Sequence, residues 1–299
     1  MKIKKVMAGM LAMVTVMGSL MSPLSAKADQ IDAPYLALGA DLNETEKSTV
    51  LSLLEINEAD LSSYQVITVT NADEHKYLDS YLSKSVIGTR ALSSVLVKGK
   101  TDGSGIKVTT YNITYCTTGM YQNALATAGI EDAEIVVAGP YNISGTAALV
   151  GAIKSYENMT GETVSQENVD TATNELVVTG KLAESVGDSD KAEQLVGAVK
   201  EQVVEGSDNG KKLTEEEIGN VVDQAAQEMD VQLSDEDRQE IVDLMDKIKG
   251  LDIDVDSLKE QAKDLYDKID DLGLKLDWNQ EKVQGFFSKI IEFFKNLFS

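Results

Sequence analysis

Apolar positions in the first half of the chain follow two alternating rhythms. Tyr35 to Gly39 is a short apolar run of strand length. Asn43-Glu44-Thr45-Glu46 then reads as an N-cap with a capping-box glutamate, ahead of Val50, Leu51, Leu53 and Leu54 at helical spacing. Gln65 to Thr70 is β-branched, and Asn71 with Glu74 restarts a helix through Tyr81. Arg90–Lys98 and Ile106–Thr114 flank a Gly-rich stretch and predict an antiparallel hairpin with a long turn. Thr117 opens a helix that Gly129 closes. Ile135 to Ala138 is apolar on both faces, as in an interior strand, and Ser144 opens a last helix to about Met159. Strands separated by helices of about ten residues predict a mixed sheet covered by helices.

From residue 161 the period-2 signal fades and helical stripes replace it. Caps mark their starts: Thr214 with Glu217, Ser234 with Asp237, and Asp256 before Leu258. Apolar stripes follow at Ile218/Val221/Val222/Ala225/Met229, at Ile241/Leu244/Met245/Ile248, and at Leu258/Ala262/Leu265/Ile269/Leu272. The motif at Leu213–Glu217 recurs at Leu233–Asp237, which reads as one capping chemistry used twice, because a solenoid needs more copies. The expected class is α+β: a mixed α/β domain over 29–160, then an acidic all-helical domain over 161–299.

The amino terminus has a different logic. Lys2, Lys4 and Lys5 precede a short apolar core, and Ala26-Lys27-Ala28 places small residues where a signal peptidase reads. Residues 1–28 are therefore expected to be a signal peptide cleaved after Ala28, giving a secreted, extracytoplasmic protein. Removal takes four lysines and no acid, leaving 23 basic against 50 acidic residues. That balance excludes nucleic acid as a partner, since Lys and Arg must replace its counterions. One Cys and one His permit neither an internal disulfide nor a conventional zinc site, and no cofactor motif is present.

Several segments combine into a recognisable whole: Gly88-Thr89-Arg90-Ala91, Tyr111-Asn112-Ile113-Thr114, Met120 to Ile130, Ser144 to Leu149, Asn174 to Gly180 and the Phe-rich carboxyl terminus. Together they resemble the domain-of-unknown-function 1002 family over nearly all of the mature chain. The resemblance implies a secreted protein, mostly of Gram-positive bacteria, and brings no established activity and no catalytic roles.

Ser144-Gly145-Thr146 follows an apolar strand at a helix start, where free N–H groups and the dipole favour an anion, and Thr89 and Arg90 would complete such a site if the fold brings them near. The same three residues are also ordinary helix-capping chemistry. Cys116 with His75 is the one conceivable nucleophile–base pair, but Asp73, Glu74 and Lys76 make the His75 stretch read as a solvated helix face. Asp252-Ile253-Asp254-Val255-Asp256 imitates a calcium loop, yet Ser257 and Lys263 stand where the template requires Gly and Glu, so no metal site is assigned. All five Phe lie in 279–299, where Phe286, Phe287, Ile290, Ile291, Phe293, Phe294, Leu297 and Phe298 fall within an arc of about 160° on a helix. This face is expected to dock internally or to meet a membrane surface or protein partner. The sequence thus favours a non-catalytic cell-envelope or extracellular interaction protein. Its alternative is a small anionic-ligand binder or enzyme with a site near Arg90 and Ser144–Thr146.

Overall fold

The structure is a computed structural model, described here for residues 33–101, 103–208, 212–251 and 253. The expected signal peptide, Asp256 and its helix, and the Phe-rich terminus lie outside the described residues.

Five strands form one mixed sheet: β1 Tyr35–Gly39, β2 Gln65–Val69, β3 Ser94–Gly99, β4 Ile106–Ile113 and β5 Ala133–Ile143, in the order β2-β1-β3-β5-β4. β1 and β2 are parallel, as are β4 and β5, while β3 is antiparallel to both β1 and β5. Helices α1 Glu44–Leu53, α2 Asn71–Leu78, α3 Lys84–Ile87, α4 Thr118–Thr127 and α5 Thr146–Thr160 connect and follow the strands. Four more succeed them: α6 Gln166–Val186, α7 Ser189–Asp208, α8 Glu215–Glu228 and α9 Asp235–Ile248. The class is α+β, a mixed sheet with helices followed by a helical region.

The period of two sorts side chains between two cores. Ala37, Val95, Val97, Ile135 and Val137 face the larger one, and Leu36, Leu96 and Ala138 face the smaller one under α1. The larger core is continuous from the sheet through α4, α5 and α6 to Leu244 and Met245 of α9. In α5, Gly151 lets the helix settle directly on the sheet: a Cβ there would sit 2.9 Å from Ala37 Cβ and 3.0 Å from Val95 Cγ1.

Three local expectations are corrected. Arg90–Lys98 and Ile106–Thr114 do not form a hairpin, because β5 lies between β3 and β4. β5 buries apolar residues on both faces and so gains from flanking strands on both sides, whereas β4 alternates buried Ile106 and Val108 with exposed Lys107 and suits an edge. The connection steps across one strand, and Asp132 at the foot of β5 fixes it by accepting the amides of Ser104 (2.6 Å) and Gly105 (2.8 Å). The α2 cap is Thr70 with Asp73, one residue before the expected Asn71 and Glu74. The residue at the N-cap of α5 is Gly145, not Ser144. The capping boxes at Asn43/Glu46, Thr214/Glu217 and Ser234/Asp237 are as the sequence predicts.

Candidate functional site

A cleft of about 380 Å³ opens where β1, β2, β4 and β5 end and β3 begins. Open α/β sheets commonly bind ligands beyond the carboxyl ends of their strands, where several loops converge. Thr89, Arg90, Ser144 and Thr146 all line this cleft. Gly145 lies between the last two and shapes the wall, at φ +98, with the Tyr121 hydroxyl donating to its carbonyl at 2.5 Å.

Two departures from regular structure build the walls. β4 and β5 lose register between Tyr111 and Ile113. Tyr111 pairs with Ala138 and Ile113 with Ile143, so residues 139–142 loop out and bring Tyr141 to the cleft rim. The Asn112 side-chain amide donates to the Gly139 carbonyl at 3.0 Å and holds the distortion. On the opposite side α3 stops at Gly88 (φ +81), and the loop after it is clamped to the β1–α1 connection. Ala91 N donates to Asp41 Oδ2 at 2.8 Å, and Arg90 forks onto Glu46 at 2.7 and 3.2 Å and onto the Asp41 carbonyl at 2.7 Å. The Glu46 hydrogen bond raises the Arg90 pKa. Glu46 itself is held below the usual carboxylate range by the Asn43 amide first and by Arg90 second. The Arg90 charge is thus already met within the chain.

The residue that the sequence pattern concealed is Glu74. Its polar neighbours suggest a solvated face, yet Glu74 is 1% exposed and lines the cleft. The signal lay in spacing: Glu74 stands four residues before buried Leu78, on the inward stripe of α2. Thr146 Oγ1 donates to Glu74 Oε1 at 2.7 Å, and Asn71 Nδ2 donates to Oε2 at 3.1 Å. Burial pushes the Glu74 carboxyl above the usual range, against these hydrogen bonds. Ser144 Oγ lies 3.2 Å from Thr146 Oγ1. When Thr146 gives its proton to Glu74, Ser144 becomes the donor to Thr146 and keeps its own lone pairs for the cleft.

Cys116 and His75 do not pair with one another. Cys116 is fully buried behind the wall beside Tyr121, and burial pushes its thiol up to about 12. His75 Nδ1 instead meets Asp79 at 2.6 Å on its own helix. No group of three His, Cys, Asp or Glu that could hold a metal occurs among the described residues. The cleft therefore offers hydroxyls, two tyrosines, one neutralised arginine and one buried acid, an inventory suited to holding a small polar molecule.

A family model described as a protein of unknown function (DUF1002) matches residues 38–265. An uncharacterised protein of Bacillus subtilis (strain 168), YpuA, is 39% identical over 259 residues, spanning 86% of this chain and 86% of its own. No solved structure matches.

Proposed function

From the premise that this chain belongs to the DUF1002 family, a kinship that brings no activity with it, we propose an exported, non-catalytic binding protein of the cell envelope. Its ligand is a small polar molecule held in the cleft at the carboxyl ends of the strands. One observation carries the reading: Thr89 and Arg90 from one loop, and Ser144 and Thr146 from the entry into α5 54 residues further along, line a single cavity. The buried Glu74 in that cavity adds support, because perturbed titratable groups in clefts concentrate at functional sites. The test is a thermal-shift screen of the 29–299 chain against sugars, amino acids, amines and small carboxylates. A compound that raises Tm in the parent but not in Thr146→Val supports the cleft; stabilisation indifferent to that change removes it.

Export rests on residues 1–28, whose basic start, apolar core and Ala-Lys-Ala end match a secretory leader. Amino-terminal sequencing of protein recovered outside a Gram-positive host should begin at Asp29. An unprocessed intracellular product would refute it. The Phe face within 279–299 is assigned to contact with a membrane surface or partner protein, on the strength of its arc of apolar residues. Liposome flotation of 29–299 beside 29–282 tests the membrane arm: flotation of the longer chain alone supports it, and flotation of neither with a lower Tm for 29–282 places the face in internal docking.

A further inference from the structure

Glu74 and Glu175 are the two glutamates at 1% exposure or less among the described residues, and their surroundings differ in one respect. Glu175, inside the helical region, meets the equally buried Lys200 at 2.9 Å. Glu74, in the cleft wall, receives only the neutral donors Thr146 and Asn71. Among the described residues no lysine or arginine pairs with it. Arg90, the basic residue of the lining, is committed to Glu46, and Lys154 of the adjoining α5 is committed to Asp73 at 3.2 Å. His75 is hydrogen-bonded to Asp79 and acts on Glu74 only through its Coulombic pull on the carboxylate, which Asp41 opposes.

A carboxylate taken out of water is normally stabilised by a counter-charge. The core site supplies one from its own chain; the cleft site faces a cavity instead. We propose that the cleft selects a small organic cation, a primary amine flanked by hydroxyls or similar groups, whose ammonium takes the place beside Glu74 that Lys200 holds beside Glu175. This rests on the cleft being a binding site, as argued above.

The remaining features agree on the ligand's size and decoration. At about 380 Å³ the cavity lies at the small end of ligand pockets and suits a compact molecule rather than a polymer. Ser144 and Thr89 line it with hydroxyls that bond a polar, hydroxylated body, and Tyr115 and Tyr141 add flat walls. A single carboxylate without two further acid, thiol or imidazole ligands favours an organic cation over a metal ion. An anion, by contrast, would be drawn toward Arg90 only against Glu46 and Glu74.

Isothermal titration of the 29–299 chain tests the proposal with matched probes: ethanolamine against ethylene glycol, D-glucosamine against D-glucose, with gluconate and calcium as further arms. An amine should bind and its uncharged counterpart should bind more weakly. Glu74→Gln should weaken the amine about thirtyfold or more, as for removal of one partner of a buried charge pair. Glu74→Asp keeps the charge but withdraws it by one methylene; it should retain the preference for amine with reduced affinity, and it serves also if the glutamine variant does not fold. Because burial raises the Glu74 pKa and a bound ammonium would lower it, amine affinity should weaken as pH falls toward the carboxylate range. Equal binding of the uncharged or anionic probes, or an amine affinity unchanged in both variants, overturns the inference and leaves a binding cleft of another specificity. Binding of calcium in place of amines overturns it too, and failure of every probe to bind overturns the cleft reading together with it.

Discussion

The Ser93 hydroxyl accepts the backbone amide of Ala148 at 2.9 Å, so the amino terminus of α5 is capped from the start of β3, 55 residues away. No local side chain caps it: Gly145 has none, Ser144 Oγ lies against Thr146 Oγ1, and the Ala148 amide otherwise reaches only the Gly145 carbonyl at 3.1 Å. One hydrogen bond thereby ties two walls of the cleft together. Ser93→Ala should destabilise the protein by about 1 kcal/mol, the usual cost of losing an N-cap acceptor, measured by urea denaturation. Ser144→Ala, which removes no cap, should cost less. The reverse order would show that the helix is capped locally after all.

Glu74→Gln should gain stability relative to the parent as pH rises from the carboxylate range toward neutral. The sign follows from the raised folded-state pKa, whose principal cause is burial. Such a group contributes its full stability below the ordinary glutamate value, and that contribution is lost as pH rises through the folded pKa. Glutamine is uncharged throughout and escapes this pH-dependent loss, although its amide nitrogen cannot accept one of the two bonds from Thr146 and Asn71. The Tm of Glu74→Gln relative to the parent should therefore rise above the ordinary glutamate range and fall back toward pH 4. A constant difference across that range would mean that Glu74 titrates normally.

Much of this architecture was legible because its causes are local. Asn43, Thr214 and Ser234 cap helices through residues three positions away, and β4 shows its edge position by alternating Ile106 and Val108 with Lys107. What stayed hidden depends on contacts between distant segments. No local signal says that β5 inserts between β3 and β4, since any strand of the right length pairs with either. Ser144–Thr146 stands out by its place between an apolar strand and a helix start, but its meeting with Thr89 and Arg90 is a product of the strand order. Glu74 is hard to read from its sequence because Asp73, His75 and Lys76 around it suggest a solvated face, although its offset of four from Leu78 places it inward.

Gly151→Val should be strongly disruptive, and Gly161→Ala should show the contrast of a different cause. At Gly151 a Cβ would press on Ala37, Val95 and Val69, at 2.9, 3.0 and 3.3 Å, all in the packed core. Overpacking of this kind typically costs about 1–3 kcal/mol, and the bulk of valine places this case at the upper end. At Gly161 nothing lies within 4 Å, so the only penalty is the left-handed φ of +71. Thermal unfolding of both variants should rank Gly151→Val well below Gly161→Ala.

The buried pair provides the sharpest energetic test. Lys200 meets Glu175 at 2.9 Å, and Lys200 Nζ also donates to the Asn123 carbonyl at 2.8 Å, while Thr127 hydrogen-bonds the carboxyl. This knot joins α4, α6 and α7. Burial pushes Glu175 up and Lys200 down, toward a neutral pair, and their attraction opposes it. Lys200→Met leaves an uncompensated acid in the core and should cost about 3–5 kcal/mol near neutral pH. That cost should shrink as pH falls and Glu175 is protonated, because the unpaired acid is destabilising only while it must carry charge. Adding Glu175→Leu removes the stranded group, and the double variant should recover most of the loss. A double-mutant cycle in urea reads the coupling directly. If the two single losses simply add, the pair is not coupled and the network is held by Asn123 and Thr127 instead.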